Sequence, residues 1–271
     1  MEAALHSVAQ YPDAAADQSQ ADNRGSVHGA VIQGDEIDTD QLRAGVYGSN
    51  AGALSQYASA SPEQIQNAAY GAAVGSVSQY QNVDVTQLQY AAIGASAGAV
   101  HSAMQSQEVT VEQIQVAAQG GAEGSLEQAQ SVTVEQIMAA AFGAAGGGAE
   151  TPVPDKQKVQ QTSRAAAKGS LSQSQSVTVE QIQGAARGAC NGAISNYQEV
   201  NVTQIQVIAE SAATGAISQH QEASVIQIQS AAQGASQGAT TLAQQQEITA
   251  EQIQTQTEQT AADTVQTAVD N

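Results

Sequence analysis

Four histidines, one cysteine and scattered carboxylates are the side chains of this sequence that could do chemistry. His6, His28, His101 and His220 have the right type for a general base or a metal ligand. In the frame of the chain's internal repeat they occupy four different places and form no cluster, so each reads as a surface histidine. A nucleophilic cysteine needs a base within hydrogen-bond reach. No histidine recurs at a position complementary to Cys190, which reads as a small buried residue in place of alanine. The run "GDEIDTDQL" (34–42) brings together Asp35, Asp38 and Asp40, as a Ca²⁺ site would. It lacks the glycine and the distal glutamate of an EF-hand loop, and Asp38 reads as a helix cap. Zinc-ligand spacing, a Walker loop and a GxSxG turn are absent, and the many GxxxG matches belong to the repeat. "NVT" (201–203) has the form of a glycosylation sequon, but its repeat position suits capping. No catalytic residue, metal or cofactor is expected.

Two recurrent patterns point to binding or to self-supporting structure instead. Glutamine returns in pairs: Gln79 and Gln81, Gln105 and Gln107, Gln128 and Gln130, Gln173 and Gln175, Gln219 and Gln221. On stacked strands such amides would align into ladders that satisfy their own hydrogen bonds. Between the paired positions stand Tyr11, Tyr57, Tyr80, Tyr197 and His220. On a solenoid these would form one column on an exposed strand face, where aromatic rings can stack on a sugar or a polymer chain. Gly34, Ala129 and Ser174 break that column.

The frame behind both patterns is a repeat of the phrase "EQIQ". Its Ile or Leu anchors are Leu42, Ile65, Leu88, Ile114, Ile137, Val159, Ile182, Ile205, Ile228 and Ile253, with gaps of 23, 23, 26, 23, 22, 23, 23, 23 and 25. An earlier, degenerate unit anchors at Ser19. "SVAQYPD" (7–13) matches "SVSQYQN" (76–82), so the sequence is expected to open in the middle of a unit. Each unit carries a helix start. Thr110, Glu112 and Gln113 make an N-cap, an acidic first turn and a capping box, with Val109 able to staple onto Ile114. Ser61, Pro62, Glu63 and Gln64 give the same signal with proline at the first helical position. Small or apolar residues follow the anchor at +3, +4, +7 and +8, a helical stripe.

Two glycine rows then fix the expected end of the helix. At +6 the residue is Gly in all but two of the ten units from Ser19 to Ile228, the exceptions being Ala165 and Ser211; at +10 it is Gly in all ten. A site that refuses even alanine reads as a C′ position with positive φ. The longer gaps place their extra residues just after Gly98 and Gly238, as insertions in turns would. The expected unit is therefore a helix of about 13 residues, then an alternating segment such as "SVSQYQNV" read as a short strand. The expected fold is an α/β repeat solenoid of about ten 23-residue units in a curved array, without the leucine-rich consensus. The alternative is an all-α solenoid with one helix of about 18 residues per unit, which must hold two interior glycines at about 2 kcal/mol per unit relative to alanine.

Residues 1–271 read as a single repeat array: degenerate units over 1–30, regular repeats over 31–247 with a proline-rich interruption near 150–155, and a polar cap over 248–271, where Gln259 and Asp263 replace both glycines. Pro152 and Pro154 exclude a central strand and suggest a loop or hinge. The composition is rich in Ala, Gly and Gln, with 3% aromatic residues, no Trp and one Phe. Such small side chains suit units that pack only on their neighbours. With 26 acidic and 7 basic residues, a net charge of −19 argues against nucleic acid and anionic membrane as partners, and no membrane insertion is expected. It also suits concentrated salt. "MAAAFGAAGGGA" (138–149), the longest apolar stretch, is too short to span a bilayer, and no signal peptide is present. The expected function is a non-catalytic structural or scaffold protein, with protein partners or self-assembly, in an extracellular or virion-like setting. The alternative is a binding module gripping a peptide or glycan through Tyr11, Tyr57, Tyr80, Tyr197 and His220.

Overall fold

The structure is a computed structural model that describes residues 11–32, 37–56, 58–106, 108–173, 177–195, 197–218, 222–245 and 248–270. Among the described residues eleven α-helices follow one another: α1 (Ala16–Val31), α2 (Thr39–Leu54), α3 (Pro62–Val77), α4 (Val85–Ala103), α5 (Val111–Leu126), α6 (Val134–Gly148), α7 (Lys156–Leu171), α8 (Val179–Ser195), α9 (Val202–Ile217), α10 (Val225–Gln245) and α11 (Ala250–Asp270). Their starts are set by capping. The side chains of Asp38, Ser61, Asp84, Thr110, Thr133, Asp155 and Asn201 each accept a hydrogen bond from the backbone N–H of the third helical residue. At Ser61, Asp84, Thr133 and Asn201 the glutamine at that third position returns the bond, which closes the capping box.

The strands expected in each unit do not exist among the described residues, and the α/β solenoid is corrected to the all-α alternative. Helices of 15 to 21 residues run straight through the +10 glycines: Gly75 lies inside α3, Gly124 inside α5 and Gly192 inside α8. No described glycine has a φ in the left-handed range. The segment 77–82, read as a strand by its alternation, is the end of α3, a turn, and a 3₁₀ turn at Tyr80–Asn82. The extra residues after Gly98 and Gly238 lengthen helices rather than turns. α4 has 19 residues and α10 has 21, against 16 in α3.

What the glycines do is bring backbones into contact. Gly25 and Gly29 of α1 lie against the backbones of Gln66 and Tyr70 in α3, and Gly71 and Gly75 of α3 lie against Gln115 and Gln119 in α5. Both numbers rise together along each pair, so helices two apart in sequence run parallel. Gly45, near the start of α2, faces Val77 and Ser76 at the end of α3, so consecutive helices run antiparallel. The odd helices thus stack as one layer and the even helices as a second. Substantial contacts join each helix only to those one and two along the chain. Between and within the layers lies a core of alanine pinned by the anchors, Ile65, Leu88, Ile114, Ile137, Ile182, Ile205 and Ile228, all fully buried.

The close approach explains why alanine is refused. A Cβ on Gly124 would stand 2.7 Å from the carbonyl carbon and 2.8 Å from the Cα of Arg164, closer than real side chains come. Each interior glycine costs a helix about 1 kcal/mol relative to alanine. The close backbone contact it permits offsets that cost through Cα–H···O=C interactions worth about 0.5–1 kcal/mol each and dispersion along the seam. The proline-rich segment is a loop held fast. Gln113 Nε2 donates to the carbonyls of Gly148 (2.9 Å) and Thr151 (2.6 Å), and Gln113 Oε1 accepts from Val153 N–H at 2.9 Å.

Candidate functional site

The strand face that was to carry the tyrosine column is absent among the described residues. Consecutive helices alternate in direction, so the segments between them fall alternately on the two edges of the array. Tyr11 and Tyr197 precede the odd helices α1 and α9, whereas Tyr80 precedes the even helix α4. The structure therefore divides between two edges what a one-way array would align. Nor are these rings free platforms. Tyr11 and Tyr197 pack half-buried against the main core, and Tyr80 packs against a smaller cluster around Val46 and Val77. Tyr11 Oη donates to the carbonyl of Ala51 at 2.8 Å, with burial raising its pKa. Lys158 Nζ lies 5.4 Å from the Tyr197 ring centre and donates to the Tyr197 carbonyl at 2.9 Å. Tyr57 and His220 lie outside the described residues, as do Asp35, His6 and Gln107, Gln175, Gln219 and Gln221 of the glutamine pairs.

The other reactive groups stay apart. His28 leans on Tyr70, ring centres 5.2 Å apart, and His101 packs near Phe142 at the end of α4. Asp38 caps α2 by accepting from Gln41 N–H at 2.8 Å. Cys190 is fully buried beside Ser163, and burial pushes its thiol up to about 12, which keeps it protonated and unreactive. Among the described residues no group of His, Cys, Asp and Glu could hold a metal ion, and no helix is long and apolar enough to cross a membrane.

The polar chemistry is instead turned inward, along the seams between parallel helices. The third helical residue of each unit, just before the anchor, is Gln in ten of the eleven helices and Lys158 in the other. Its nitrogen reaches across to a backbone carbonyl ahead of the next helix of its own layer: Gln18 to Ala60, Gln41 to Tyr80, Gln87 to Ala129, Lys158 to Tyr197 and Gln181 to Ala223, at 2.6–2.9 Å. The amide oxygen of Gln18, Gln87 and Gln181 meanwhile accepts from the capping residue's N–H. One side chain thus closes its own helix start and fastens the neighbouring loop. Sequence reasoning found only the first role. The signal for the second was present, because a capping box accepts Glu as readily as Gln. A position that takes Gln or Lys and never Glu needs a donor.

Ion pairs lie on the same seams, joining Glu127 to Arg164, Glu150 to Arg187 and Lys168 to Glu210. Glu123 is 6% exposed and accepts from Gln119 and Gln160; its burial raises its pKa against the opposing pull of those bonds and of Arg164. An open groove of about 600 Å³ between α9 and α11 is lined by Thr214, Glu251, Glu258, Gln259 and Asp263, a solvated acidic wall. Comparison with protein families, with curated proteins and with solved structures gave no match.

Proposed function

We propose that the chain is a non-catalytic scaffold that works as a rigid element of a larger assembly, extracellular or virion-like, with proteins or further copies of itself as partners. The observation that carries this reading is the seam. Glycine backbones, the donor side chain of each helix start, and the ion pairs all serve contacts between neighbouring helices. Such a molecule resists deformation along its length, because sliding one helix past the next breaks a backbone contact and a hydrogen bond together. The acidic, lysine-poor surface supports work in concentrated salt. The binding-module alternative has less support: it needs a strand face, and Tyr80 lies on the other edge of the array from Tyr11 and Tyr197.

The test is fractionation of the native source by size, followed by cross-linking. The reading expects the chain in a large particle at fixed stoichiometry to its neighbours. Recovery as a free monomer, with no neighbour cross-linked, would overturn it.

A further inference from the structure

The repeated seam has two complementary sides, and among the described residues one of each is unfilled. Inside the array the +6 and +10 glycines of one helix meet the carbonyls of the +1 and +5 residues of the next parallel helix, as Gly71 meets Gln115 and Gly75 meets Gln119. On α10 the same positions, Gly234 and Gly238, have nothing within 4 Å. Ile226 continues that ridge two turns back and is 77% exposed, the most exposed large hydrophobic residue described. At this place in the repeat, two before the anchor, the other ten helices carry Asp17, Asp40, Glu63, Thr86, Glu112, Glu135, Gln157, Glu180, Thr203 and Glu251. An aliphatic residue stands there only on the helix whose glycine ridge is bare.

The opposite side is bare on α1. Val27 and Val31 are 42% and 64% exposed, whereas their counterparts in α3, Ala73 and Val77, are fully buried, Ala73 against Gly29 of α1. Arg24 makes no ion pair among the described residues, although the arginines at the same +5 place, Arg164 and Arg187, pair with Glu127 and Glu150 on the preceding helix of their layer. Carrying the internal register onto these two faces sets Gly234 against Gln20, Gly238 against Arg24 and Ile226 against Pro12. A largely apolar hollow of about 450 Å³ lies along that line, walled by Tyr11, Pro12, Ala14, Ala16 and Gln20.

We infer that the glycine ridge of α10 docks the α1 face of a second copy of this chain, head to tail. The contact is heterologous, so it propagates into a linear polymer. The inference rests on the scaffold reading and names its partner. Gln227 Nε2 now donates to the Ala268 carbonyl at the end of α11, so docking exchanges the last turn of α11 for the incoming lead-in segment. The net charge of −19 opposes the contact, and salt strengthens it by screening.

Sedimentation velocity on the 271-residue chain, over a concentration series at low and high salt, supplies the test. Expected are species above the 27.5 kDa monomer that grow with concentration and with salt. Gly234→Gln with Gly238→Asp copies the residues of α11 into open space, so the monomer keeps its helicity while association is lost. Val27→Asp with Val31→Asp blocks the other face with the same loss. Mixing the two blocked chains restores one contact and stops at a dimer. Thr241→Glu gives Arg24 the partner that Glu127 gives Arg164 and tightens association several-fold. A wild-type chain that stays monomeric at high salt overturns the inference and leaves the scaffold reading standing, with foreign proteins as partners. Dimers that survive Val27→Asp/Val31→Asp also overturn it, since α10 then pairs without α1.

Discussion

Substituting alanine for the +10 glycine should have opposite effects at two places in the same repeat frame. In Gly124→Ala the new Cβ falls within 3 Å of three backbone atoms of Arg164, which cannot rotate away as a side chain would. The helix gains about 1 kcal/mol of propensity. Forcing a methyl group into a packed contact costs about 1–3 kcal/mol, and a backbone obstacle puts the cost at the upper end. Loss of the Cα–H···O=C contact removes about 0.5–1 kcal/mol more. The net expectation is destabilisation by about 2 kcal/mol, or a melting temperature lower by roughly 4–8 °C for a chain of this size. In Gly238→Ala nothing lies within 4 Å of the added methyl, so only the propensity gain remains, about 1 kcal/mol of stabilisation. Urea unfolding followed by circular dichroism on dilute protein measures both. Were the glycines required for positive φ, both variants would be destabilised. Destabilisation by Gly238→Ala, or stabilisation by Gly124→Ala, would refute the close-contact account.

Gln181→Glu replaces a buried donor by an anion facing the Ala223 carbonyl and should lower stability by about 1–3 kcal/mol, while Gln181→Lys, which copies Lys158, loses clearly less; equal losses in thermal melts would remove the donor role. Burial raises the pKa of Glu123, so the folded state holds that proton more tightly than the unfolded state, and stability from this group falls as pH rises between the two values. The stability of Glu123→Gln relative to wild type should therefore increase across the acid range and level off above the folded pKa; a flat difference would count against it. Cys190, fully buried with its thiol pushed up to about 12, should react with a thiol reagent only as fast as the protein opens, and fast labelling of the native fold would contradict its placement.

Sequence pattern marked the helix starts where a cap is present, because capping is local: Ser61 with Gln64 and Thr110 with Gln113 are recognised by residues three apart. It also located the anchors and the small-residue stripe. Helix ends were misread, because an invariant glycine has two physical causes, a left-handed backbone and a close neighbour. Only the second operates at Gly75, Gly124 and Gly192, and the neighbour that imposes it lies about 40 to 44 residues away, beyond any local window. The alternation of "SVSQYQNV" was accidental: Val77 ends a helix and Val83 follows a 3₁₀ turn. Tyr80 stands on the other edge from Tyr11 and Tyr197 for a related reason, since equal spacing does not say whether successive units point the same way. The polymer faces left no clear mark except Ile226, a lone aliphatic residue in a polar column.

The account depends on parallel helices two apart meeting backbone to backbone at the glycines. The most direct measurement is a proton–proton Overhauser experiment on chain labelled in glycine and glutamine. A Cβ on Gly75 would lie 3.0 Å from Gln119 Cα, so the α-protons of Gly75 should give a strong cross-peak to the α-proton of Gln119, with Gly71 giving its own to Gln115. Helical carbon shifts at Gly75 together with that cross-peak are predicted. A missing cross-peak, with carbon shifts of a left-handed glycine, would contradict the seam and the scaffold built from it.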